Sequence, residues 1–118
     1  MSLVCWQNPY KDKGKYVLKG NLHTHSSPAS PCGEIPLEEM LSSYESKGFD
    51  FLSFTDHNLM NYSSERKSSL VLLPGTEIDF SGRSHICLVH TDPAEIYLKE
   101  IKNPQTLIDE NSKRGALV

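Results

Sequence analysis

Five histidines punctuate the chain, and four of them stand among residues that bind cations. His23-Thr24-His25 sets two imidazoles two positions apart. On extended backbone such residues point to the same side, so both rings reach one metal ion. Asp56-His57 joins a carboxylate to an imidazole. A neutral imidazole ligates a metal while the carboxylate beside it fixes a tautomer or takes a second coordination position. Glu77 and Asp79 follow a Pro74-Gly75 kink, and a carboxylate with two oxygens can bridge two cations. His85 and His90 flank an apolar run. Their odd spacing places them on opposite sides of a regular strand, so at most one joins a shared site. His85, which opens the run, is the candidate; His90 reads as a surface or capping residue.

Taken singly, each cluster has an ordinary structural reading: solvated histidines near a loop, an aspartate capping a short helix, an exposed acidic pair at a strand end. Taken together they give the imidazole and carboxylate mixture that divalent metals prefer. No GxSxG elbow, Walker loop or GxGxxG run points to other chemistry.

The elements that must position these residues alternate. Tyr16-Val17-Leu18 leading into His23 reads as a first strand, and Ser26 to Gly33, rich in serine and turn formers, as a loop. Pro36 opens a helix, with Leu37, Met40, Leu41 and Tyr44 as one buried stripe and Gly48 as its stop. Phe49 to Phe54 is a buried strand ending at Thr55-Asp56-His57. Residues 61–69 form a short helix or a loop. Leu70 to Leu73 is a third strand, which Thr76 to Phe80 continues past the kink, and His85 to His90 is a fourth. A link through Gly82 makes the third and fourth a hairpin. Asp92-Pro93 starts a helix reaching about Ile101, and Asn103-Pro104 starts another, with Leu107 and Ile108 on its apolar side and Gly115 as its stop. Ala116-Leu117-Val118 begins a fifth strand. Strand–helix–strand order predicts α/β architecture, in which reactive residues collect beyond the carboxyl ends of strands.

Composition narrows the classes. At 118 residues and 13.3 kDa the chain suffices for one small domain. An apolar share of 37% is low but not that of a disordered chain. Twelve basic residues against 15 acidic ones give a net charge of −3, which argues against a long nucleic acid as partner. No apolar run approaches the roughly 20 residues of a membrane span, and no signal peptide is visible. Three scattered cysteines outside any CxxC imply reduced thiols and a cytoplasmic setting. Arg66 and Arg83 lie near the motifs and read as solvated surface cations rather than phosphate ligands.

The clusters, in their order, resemble the motifs of the PHP family, named for polymerase and histidinol phosphatase. Gly20-Asn21-Leu22-His23-Thr24-His25-Ser26-Ser27 resembles its first motif and Phe54-Thr55-Asp56-His57-Asn58 its second. Pro74-Gly75-Thr76-Glu77-Ile78 resembles its third, and His85-Ile86-Cys87-Leu88-Val89 the histidine strand after it. The similarity runs from about Lys19 to Val118. It implies a distorted (β/α)7, TIM-like barrel with two or three divalent ions (zinc, manganese or iron) at its carboxyl-end face. By the resemblance His23 and His25 bind a first metal, Glu77 bridges first and second, His85 binds the second and His57 the third. Asp56 assists catalysis from behind these ligands or occasionally ligates. Asn21 replaces a frequent aspartate, and Cys32 stands where many relatives carry one, a thiolate being itself able to ligate.

Relatives continue into a strand ending in His-Pro and later an Asp-x-His cluster. Residues 1–14, polar with Pro9 and Gly14, read as an irregular lead-in, and the resemblance implies, over 15–118, an incomplete PHP domain, its barrel truncated after about four or five strands. Exposed sheet edges then invite a homo-oligomer. The activity implied is hydrolysis of a small-molecule or nucleotide phosphoester by metal-activated hydroxide. Two alternatives stay open: an amidohydrolase-like metal hydrolase, which also begins with HxH, and an inactive metal-binding remnant acting through self-association.

Overall fold

A computed structural model describes residues 17–81, 84–99 and 103–118. Three short strands, β1 (Gly20–Asn21), β2 (Phe51–Ser53) and β3 (Val71–Leu73), form a parallel sheet in that order. Gly20 pairs with Phe51, and Phe51 with Val71. Parallel neighbours require a crossover, and helix α1 (Leu37–Ser46) supplies the one between β1 and β2. Pro36 sits at its N-cap rather than inside the first turn, its ring fixing φ at −58°. The stripe expected from the sequence is the buried one. Leu37 and Leu41 pack with Leu52, Phe54 and Leu70, flanked by Met40 and Tyr44. Gly48 ends the helix in the left-handed region, at φ 70°. Truncating Leu41 or Leu52 in this cluster costs about 2–5 kcal/mol.

The chain then changes direction of pairing. Pro74 has no N–H with which to continue a ladder, and beyond it β4 (Gly75–Phe80) pairs antiparallel with β5 (Ser84–Val89) as a separate two-stranded sheet. This hairpin packs through Ile78 and Leu88 onto Ile96 and Leu107. Leu107 lies on α2 (Pro104–Lys113), whose N-cap Asn103 accepts a hydrogen bond from Thr106 N at 2.9 Å. Buried Asn111 has its amide fully used: it accepts from Tyr97 N at 2.8 Å and donates to the carbonyls of Tyr97 and Leu107.

The expected (β/α)7 TIM-like barrel, truncated or otherwise, is overturned. The described residues form a small α/β structure of three parallel strands, a two-stranded antiparallel sheet and two α-helices, and close no barrel. The reason is the β4–β5 hairpin. Each strand of such a barrel needs a helical crossover to a parallel neighbour, whereas β5 runs antiparallel to β4, with Phe80 paired to Ser84. Of the helix expected from Asp92 to about Ile101, the described residues 92–99 form a 3-10 turn over Pro93–Glu95, and Ile101 lies outside the described residues. The expected fifth strand is a single antiparallel bridge between Leu117 and Val89. Residues 61–69 contain no helix. The lead-in over 1–14, Tyr16, Gly82 and Arg83 lie outside the described residues. Among the described residues, no helix is long and apolar enough to cross a membrane.

Candidate metal centre

Backbone pairing brings the clusters together. Past β1, Thr24 O accepts from Thr55 N at 2.8 Å. Past β2, His57 and Glu77 form a parallel bridge, in which Asp56 O accepts from Glu77 N at 3.2 Å and Glu77 O from Asn58 N at 2.7 Å. In the hairpin, Glu77 lies opposite Cys87 and Asp79 opposite His85. Glu77 and Asp79, two apart, therefore share one face with the residues across from them.

Glu77 is the centre of the arrangement. Its side chain is 8% exposed. Oε2 lies 3.0 Å from His25 Nε2 and 3.7 Å from His57 Nδ1, and Oε1 lies 3.1 Å from His85 Nδ1. His23 Nε2 is 3.3 Å from His25 Nε2. Two nitrogens on one tetrahedral zinc, each about 2.0–2.1 Å from it, stand roughly 3.3 Å apart. Oε2 is buried and makes no hydrogen bond. A buried carboxylate oxygen without a donor carries the cost of lost hydration, and a cation would remove that cost. The donor set and the orphaned oxygen both fit a metal ion.

All five residues expected as ligands meet here. His23, His25 and Glu77 form one group able to hold a metal ion; His57, Glu77, Asp79 and His85 form a second; His25, Cys32 and His57 form a third. His90 lies elsewhere, as its odd spacing from His85 requires. It contacts the Arg114 carbonyl at 3.0 Å and accepts from Asp92 N at 2.8 Å. Arg66 does not act on the cluster directly; its guanidinium donates to the side-chain and backbone oxygens of Asn61.

Asp56, expected to assist from behind, belongs to none of the three groups. It is completely buried and accepts from Ser26 N (2.6 Å), Ser26 Oγ (2.7 Å), Ser30 Oγ (2.7 Å) and Asn61 Nδ2 (2.8 Å). Burial pushes its carboxyl upward, but these donors together hold it below its ordinary value. Asp56 thus fastens the 26–33 loop to the end of β2. Gly33 makes the loop possible, because an added Cβ would run into the Ser26 carbonyl.

Other neighbours aim the imidazoles. Thr55 Oγ1 lies 2.9 Å and Cys87 Sγ 3.0 Å from His23 Nδ1, which turns His23 Nε2 toward His25. Burial, then the Glu77 charge, raises the Cys87 thiol, keeping it protonated. Asp79 Oδ1 lies 2.8 Å from Nδ1 of both His57 and His85. Asn58 takes a left-handed conformation, φ 53°, and its amide exchanges two hydrogen bonds with Asp79, each 3.0 Å. His25 is lowered below its ordinary value, chiefly by burial, with His23 and His57 adding to this and Glu77 opposing it.

From the sequence Asp79 reads only as an acidic companion of Glu77; the two-residue spacing that puts them on one face is the available signal. Ser26, Ser30 and Asn61 carried no such signal, because their roles depend on where Asp56 is buried. No protein-family model, curated protein or solved structure matches the chain.

Proposed function

We propose that this protein is a metal-dependent phosphoesterase of the kind the PHP motifs imply, acting on a small-molecule or nucleotide phosphate ester. The observation that carries the reading is Glu77, a buried carboxylate with one oxygen beside His25 and the other beside His85. The support comes from this donor set and from the order of the motifs, and needs no barrel. His23, His25 and Glu77 would hold one cation, Glu77 and His85 a second, and His57 a third. Such donors accept zinc, manganese or iron. Bound cations would lower the pKa of water toward neutrality and neutralise charge on phosphoryl oxygens. The chain's own part is positioning: Asp79 orients His57, Ser30 orients His25, and the Asp56 network fixes the loop beside them.

The test is phosphate release from aryl phosphates and nucleoside monophosphates by the full chain, reloaded with zinc, manganese or iron after chelation. Metal-dependent turnover, lost together with bound metal in Glu77→Gln, is the expected result. Metal-dependent cleavage of amides instead would replace this reading with the amidohydrolase one. Bound metal without turnover of either substrate class would leave a metal-binding protein that is not an enzyme.

A further inference from the structure

We propose that Cys32 and His57 form a thiolate-bearing cation position that selects thiophilic metals, zinc or ferrous iron, over manganese and magnesium. The inference rests on the metal centre proposed above and concerns its third position. Cys32 Sγ lies 3.4 Å from His57 Nε2. A sulfur at about 2.3 Å and a nitrogen at about 2.0–2.1 Å from one tetrahedral zinc stand roughly 3.5 Å apart. The other nitrogen of His57 is already engaged, since Nδ1 lies 2.8 Å from Asp79 Oδ1. An ionised carboxylate only accepts, so Nδ1 carries the proton and the Nε2 lone pair faces the sulfur. This is the carboxylate–histidine–metal arrangement in which the outer carboxylate sets the tautomer.

The site is built rather than incidental. Gly33 N donates to Ser30 O at 3.0 Å and Ser30 N to Ser26 O at 2.9 Å, folding the loop so that Cys32 stands over His57. His25 belongs to the same group, but its nitrogens are engaged with Ser30 on one side and with Glu77 and His23 on the other. Cys32 and His57 are then the protein ligands, and the remaining positions are open to water or a substrate oxygen. Independently, the buried and unpartnered Glu77 Oε2 lies 3.7 Å from His57 Nδ1, so the same ring borders an uncompensated negative charge. Soft sulfur favours zinc and ferrous iron, whereas hard oxygen donors suit manganese and magnesium.

The experiment is cobalt substitution of the full chain, read by absorption and by equilibrium dialysis. A thiolate-to-cobalt charge-transfer band in the near ultraviolet is expected beside the visible ligand-field bands. Cys32→Ser should abolish that band and weaken one cobalt position by at least about tenfold, the smallest loss typical for disturbing a metal ligand's surroundings. A Cys5→Ser variant should keep the band. Cys32→Asp should restore the position while shifting its preference toward manganese. Cobalt binding with ligand-field bands but no thiolate band, or a band that survives Cys32→Ser, overturns this inference and leaves the remaining centre standing. No cobalt binding at all overturns the metal centre itself.

Discussion

Asp56 and His25 are joined through the Ser30 hydroxyl, which lies 2.7 Å from Asp56 Oδ1 and 3.2 Å from His25 Nδ1. A hydroxyl has one proton, and the ionised carboxylate can only accept it. Ser30 must therefore accept from His25 Nδ1–H, which leaves the His25 Nε2 lone pair facing Glu77 and His23. The buried carboxylate thus sets the tautomer of a metal-facing histidine through an intermediate side chain.

Ser30→Ala removes that link. Metal affinity should fall about 10- to 100-fold, the usual effect of losing an outer partner of a metal-binding histidine. Leaving buried Asp56 one donor short should also cost about 1–3 kcal/mol of stability. Chelator competition and urea unfolding measure the two effects, and an unchanged affinity would dissociate Ser30 from the centre.

Glu77→Gln separates charge from shape. The metal-free variant should be as stable as the parent or more so, because a buried carboxylate oxygen without a donor is replaced by a neutral amide. The parent should gain about 2.7 kcal/mol at a metal concentration 100-fold above Kd, and the variant should gain almost nothing. Melting temperature with and without zinc reads both.

His85→Ala and His90→Ala should behave oppositely. Losing His85 strips a donor facing Glu77 and Asp79 and should lower metal stoichiometry. Losing His90 removes bonds to Arg114 O and Asp92 N, costing about 1 kcal/mol with metal content unchanged. Metal analysis beside thermal unfolding distinguishes them.

Acid should destabilise the metal-free protein in two stages. Both His25 and Asp56 are lowered in the folded state, so the unfolded chain binds more protons and stability rises with pH. The His25 contribution is complete above 6.5, its ordinary value, and is lost as pH falls from there through the lower folded value. The Asp56 contribution is present above 3.8 and is lost as pH falls through a folded value lower still. Asp79 and Glu45 are lowered too, by their hydrogen bonds, so urea unfolding across pH should show a smaller lower stage in Asp56→Asn rather than none; an unchanged lower stage would place its origin in those carboxylates.

Much of the centre was legible in the residues because it depends on local spacing. His23 and His25 share a side, as do Glu77 and Asp79, whereas His85 and His90 do not, and in each case the spacing along the chain is the readable signal. The helix over Leu37–Ser46 and the Asn103 cap of α2 were likewise local. The strand after Pro74 was not. The apolar run predicts a strand but says nothing about its direction, and the antiparallel hairpin of β4 and β5 is settled by which neighbour buries Ile78 and Leu88.

By itself, then, the sequence determined which donor types exist, their order and the faces they share, since periodicity and capping act over a few residues. Only the tertiary structure decided that Glu77 lies between His25 and His85, that Asp56 is held by Ser26, Ser30 and Asn61, and that Cys32 stands over His57. The pairings of Glu77 with His25, of Asp56 with Ser26 and Ser30, and of Cys32 with His57 join residues about 25 to 50 positions apart, and nothing in local backbone geometry encodes them. They follow from how strand ends, the 26–33 loop and the hairpin pack around one buried carboxylate.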